Sequence, residues 1–202
     1  MNHIPAYFSA IKETLDKIDA RPINEAISIL HQARLDKRQI FIMGNGGSAT
    51  TASHFVCDLA KNTRQSGWPH YRVIGLADNV ASFTAYGNDE GYDSVFSQQL
   101  ANLVQPGDIV IGISTSGNSP NVLNAVALAN QEMATTIGFT GFDAGKLGSM
   151  VDIHLHVPSN CIEHVEDVHL ILEHLMTKAL REMVGGIPVN EQKVVAGNGG
   201  RS

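Results

Sequence analysis

The chain has 202 residues, 43% of them hydrophobic and 17% charged, with a formal charge of −6. That length buries a core without staples, and the ordinary balance excludes collagenous and disulfide-scaffold architectures. No apolar run reaches the ~20 residues of a bilayer span and no basic run offers a nucleic-acid footprint, so neither membrane nor nucleic acid is an expected partner.

The first segment, MNHIPAYFSAIKETLDKID, lacks a basic stretch leading into an apolar one, and the only cysteines are Cys57 and Cys161. A cytoplasmic protein with reduced thiols is expected. Tyr7, Phe8, Ile11, Leu15 and Ile18 recur at helical spacing, and a second helical pattern runs from Pro22 through Ile23, Ala26, Ile27 and Leu30. Five β-rich runs follow, at 39–43, 71–77, 108–114, 135–141 and 152–158, alternating with helical segments near 48–62, 79–86, 93–104, 119–131 and 162–184. This alternation predicts an α/β fold with a doubly wound, parallel five-stranded sheet, residues 1–184 forming one domain with an N-terminal helical arm. The glycine-rich, aperiodic stretch 185–202 is expected to be a poorly ordered tail.

Two strand-to-helix turns carry chemistry. After the first run comes Gly44-Asn45-Gly46-Gly47-Ser48-Ala49, where glycines admit a ligand close to the backbone and the next helix offers its free N–H groups to an anion. Asn45, Gly46, Gly47 and Ser48 are therefore candidate substrate contacts. The spacing also fits a dinucleotide fingerprint, with Asp78 as ribose partner, or a purely structural turn. The third run ends in Ser114-Thr115-Ser116-Gly117-Asn118-Ser119, followed by Pro120. Hydroxyls on Ser114, Thr115, Ser116 and Ser119 at a helix N-terminus suit a phosphate monoester, whereas a helix cap would use only one of them. Neither turn has the lysine of a nucleotide-binding loop, and no nucleotide cofactor is expected.

His54 and Asp58 stand four residues apart on the helix after the first turn, so they share a face, either as an ordinary surface pair or as part of a site. Nine histidines in the chain favour a search for sites among them.

Together GNGGSA, YGNDEGYDSVFSQQL, GDIVIGISTSGNSPNV and IGFTGFDAGKL resemble the sugar isomerase (SIS) domain family over residues 5–184, and within it the phosphoheptose isomerases. The resemblance implies a flavodoxin-like sheet, a homotetramer with active sites at subunit interfaces, and conversion of sedoheptulose 7-phosphate to an aldoheptose 7-phosphate. It implies that His54 is a zinc ligand and that Asp58, where the family carries Glu, is the catalytic base touching the metal. His174 matches an acid or base that also ligates zinc, and Glu166 stands where the isomerases have Gln, contacting substrate and metal. Asn88 and Asp89 match a segment that hydrogen-bonds sugar hydroxyls, although an Asn-Asp turn cap is the plain alternative. His169, Glu163 and Glu173 read as polar residues of a helix surface or interface.

Helix geometry adds a constraint of its own. Glu166 and His174 are separated by about 12 Å of helical rise, so if both ligate one ion they must come from different subunits. The alternative function is a non-catalytic SIS-domain sugar-phosphate sensor or adaptor, such as a replication-initiator-associating protein. A dinucleotide oxidoreductase is third.

Overall fold

The computed structural model describes residues 2–185. The 185–202 tail expected to be poorly ordered lies, from residue 186 onward, outside the described residues.

Helices α1 (His3–Leu15) and α2 (Ala20–Leu35) precede strand β1 (Gln39–Gly44). Then come α3 (Gly47–Cys57), β2 (Arg72–Gly75), α4 (Val80–Asp89), α5 (Val95–Ala101), β3 (Ile109–Ile113), α6 (Pro120–Gln131), β4 (Thr135–Thr140), α7 (Leu147–Met150), β5 (Ile153–His156) and α8 (Ile162–Glu182). The expected parallel sheet is present, in the order β2-β1-β3-β4-β5. That order reverses direction between β1 and β3, and ligands of open α/β sheets bind at the carboxyl ends of strands at such a switch point. Gly44 pairs with Ile113, so the two predicted anion turns leave the sheet side by side.

Strand side chains alternate between two cores, as the strand period of two requires. Ile40 and Ile42 face α2, α3 and α8, whereas Phe41 and Met43 face α5 and α6. Within α8 the buried stripe runs Val165, Val168, His169, Leu172, Glu173, Met176, Thr177 and Leu180, at the three-to-four residue spacing of a core-facing helix. The short α7 has too few residues for its own period to show, and the sequence reading passed over it. The predicted helix over 48–62 is α3 continued by a π-helical turn, Asp58–Asn62. Such an inserted residue is frequent at functional sites, and here it begins at the carboxylate singled out above.

His169 is 1% exposed; its Nε2 lies 3.2 Å from the Thr140 carbonyl, and Nδ1 has no partner. It packs in the core rather than on the helix surface. Burial pushes its pKa down from 6.5 to about 4. The folded chain therefore binds this proton less readily than the unfolded one. The stabilisation is present above about pH 6.5 and is lost as pH falls toward 4, by on the order of 3 kcal/mol. Urea unfolding of His169→Gln should show a smaller loss of stability between neutral and acid pH than the wild type. Equal losses would show that another group carries the acid sensitivity.

Candidate active site

The first anion turn closes because Gly44 lies against the start of α3. A Cβ at Gly44 would sit 2.7 Å from the Ser48 carbonyl oxygen, a contact no side chain tolerates. Asn45 and the buried Asn121 of α6 tie the two turns together. Asn45 Nδ2 donates to Asn121 Oδ1 at 2.8 Å, Asn121 Nδ2 donates to Asn45 Oδ1 at 2.9 Å, and the Tyr92 hydroxyl adds a bond to Asn45 Oδ1 at 2.8 Å. The Asn45 carboxamide thus helps hold the two turns together. Asn121 and Tyr92 were not anticipated, and the core position of Asn121 on a helix was the available signal.

In the second turn Ser114 Oγ and Ser119 Oγ lie 3.0 Å apart, Ser114 being buried. One hydroxyl donates to the other, which leaves one hydrogen free for an anion. Ser116 Oγ accepts from the Asn118 N–H at 3.2 Å and keeps its own hydrogen. Thr115 is half-buried and Ser116 exposed. Ser119 makes no side-chain cap bond to α6, so capping does not account for these hydroxyls. Gly117 takes φ +64° and a Cβ there would overlap the Ala144 carbonyl, which fixes the turn against the segment before α7.

Along α3 and α8 a second group assembles. His54 of α3, Asp58 at the start of the π turn, and Glu173 and His174 of α8 bring one nitrogen or oxygen each to within 4.8 Å of one another. His54 Nε2 lies 3.2 Å from His174 Nε2, 3.7 Å separates His54 Nε2 from Asp58 Oδ1, and 3.5 Å separates His174 Nε2 from Glu173 Oε2. The carboxylates form the floor, Asp58 at 6% and Glu173 at 0% exposure, while the imidazoles form an open rim. Asp58 is thus no surface partner of His54. Asn62 Nδ2 donates to Asp58 Oδ1 at 2.6 Å, and Thr177 Oγ1 donates to Glu173 Oε1 at 3.2 Å. Burial, reinforced by the neighbouring Asp58, pushes the Glu173 carboxyl up to about 8.

The SIS-domain family matches residues 6–141. The chain is 39% identical over 178 residues to a phosphoheptose isomerase of Aliarcobacter butzleri, covering 86% of this chain and 93% of that one. The chain belongs to the SIS-domain family. Relatives matched over most of their length include phosphoheptose isomerases, and a solved one from Neisseria gonorrhoeae superposes with a TM-score of 0.82 at 32% identity, covering 89% of this chain and 97% of that one. A second, from Francisella tularensis, gives 0.82 at 30% identity, with coverages of 90% and 97%. Within the SIS domains this chain therefore groups with aldose–ketose phosphosugar isomerases rather than with sensors or adaptors.

Against that family pattern, one candidate ligand sits elsewhere. Glu166 is not brought into the His/Asp/Glu group of this chain; its carboxylate lies over Gly47, within 2.6 Å of where a Cβ on that glycine would be. There it places negative charge at the N-terminus of α3, where the helix dipole favours it. Glu173, read from sequence as an ordinary polar position, takes the place in the group. Its position inside the apolar stripe of α8 was the missed signal, since an unpaired carboxylate is almost never buried without a task. Asn88 and Asp89 are exposed in the last turn of α4, with Asn88 Nδ2 donating to Asp89 Oδ1 at 2.7 Å. Asp78, the expected ribose partner of a dinucleotide, accepts a bond from Ser53 instead.

Two imidazole nitrogens and two carboxylates with an orphaned buried oxygen form a donor set suited to a divalent cation, zinc among them.

Proposed function

We propose that this chain interconverts sedoheptulose 7-phosphate and D-glycero-D-manno-heptose 7-phosphate through an enediol. The observation that carries the reading is that α3, which leaves the sheet beside the hydroxyl-rich turn, also carries His54 and leads into Asp58. α3 begins at the glycine turn, and His54 comes seven residues after Gly47, about 10 Å of rise. Ser114, Thr115, Ser116 and Ser119 grip the phosphate with neutral donors and the dipole of α6, leaving the first two carbons beside His54, Asp58 and His174.

Asp58 is the base that takes the proton from the carbon next to the carbonyl, its Oδ1 held by Asn62. His174, half-exposed on the rim, moves a proton at the carbonyl and hydroxyl oxygens. Gly46, Gly47 and Ser48 line the backbone side, and Glu166 beside them is placed to meet sugar hydroxyls. We assign zinc to the His54, Asp58 and His174 group; when bound it would polarise the carbonyl. A homotetramer in the cytoplasm is part of the same reading. Ile171 and Leu175 are exposed on α8 beside His174, so the face around the rim is one that a second copy would cover.

Incubating the zinc-supplied protein with sedoheptulose 7-phosphate in deuterated water should introduce deuterium at the carbon beside the carbonyl, with aldose product appearing by NMR. Absence of both exchange and product, with and without zinc, would overturn the reading.

A further inference from the structure

Glu173 is wholly buried, and its two oxygens differ. Oε1 accepts from Thr177, while Oε2 has no hydrogen-bond partner. A buried carboxylate oxygen left unpaired is costly, and either a proton or a cation can offset that cost; of the two, the cation also draws in the donor atoms that face this oxygen. Oε2 is also the oxygen turned toward His174 Nε2, at 3.5 Å, and His174 Nε2 in turn faces His54 Nε2 at 3.2 Å. With Asp58 on the other side, four donor atoms converge and no lysine or arginine is among them.

We propose that Glu173 is itself a ligand of the divalent cation, so that His54, Asp58, Glu173 and His174 complete the site within one chain. This rests on the cation assigned in the proposed function. Asp58 is one methylene shorter than a glutamate and reaches less far from α3, and Glu173 brings a second carboxylate from α8 into the same space. Thr177, one turn further along α8, holds Oε1 and so orients the ligand, as outer partners of metal ligands do. Glu166 of the same chain is excluded from this set by position. It is separated from His174 by about 12 Å of rise and its carboxylate rests over Gly47.

The test uses metal-free, full-length protein titrated with Co²⁺, read by its visible absorption, and with Zn²⁺ against a chromophoric chelator. Glu173→Gln should weaken both metals by about tenfold or more and change the Co²⁺ band, while Glu166→Gln leaves affinity within about twofold. Glu173→Asp should recover part of the loss, because it restores the charge with shorter reach. The unfolding temperature of metal-free Glu173→Gln should not fall below that of the wild type, since the amide is isosteric and uncharged. It should lose the rise in unfolding temperature that metal gives the wild type. Wild-type affinity and spectrum in a folded Glu173→Gln, or a loss carried by Glu166→Gln instead, would overturn the proposal. A wild type that binds neither metal overturns the cation assignment as well, whereas the isomerisation assay reads the reaction separately.

Discussion

Asp58→Asn should lower deuterium exchange into the ketose phosphate by on the order of a thousandfold, the middle of the range for removal of a positioned general base. Asparagine keeps the size of the side chain and fits the same 6%-exposed site, but its amide cannot take the proton from carbon. The contact with Asn62 can be kept if the new carboxamide presents its oxygen to Nδ2, so the π turn has no reason to unwind. Metal saturation has to be verified alongside, because the same change removes a charged donor. Asp58→Glu should retain exchange, since it keeps a carboxylate in the same pocket and only adds a methylene. Full activity in a metal-saturated Asp58→Asn would place the base elsewhere.

The parallel sheet was legible because its β-branched runs recur between helical patterns, and pairing of Gly44 with Ile113 then brings the two anion turns together without further information. The π turn at Asp58–Asn62 was not legible, since an inserted residue leaves no composition signal. His54, Asp58 and His174 were found through the i, i+4 pair and the family resemblance, and the structure brings all three together. Glu173 was missed for a physical reason. Its charge was weighed, but not its phase on α8, where it falls between Leu172 and Met176 on the buried stripe. Glu166 was expected to reach the ion from a partner subunit; within its own chain its carboxylate lies over Gly47.

Mixing His54→Ala chains with His174→Ala chains should give hybrids that hold no more cation, and turn over no faster, than either parent. His54 and His174 face each other at 3.2 Å across α3 and α8 of one chain, so every chain in such a hybrid carries one half of a broken pair. Removing either imidazole takes away one of four converging donors, and exchange of subunits cannot return it. The outcome separates two arrangements that metal content of the single variants does not. If α3 and α8 of one site belonged to different chains, some hybrid sites would unite an intact His54 with an intact His174, and activity would rise on mixing. Subunit exchange has to be demonstrated independently, for example by native mass spectrometry of differently labelled chains. With exchange proven, a rise in bound Co²⁺ would overturn the one-chain site. No rise would place His54 and His174 of each site on one chain.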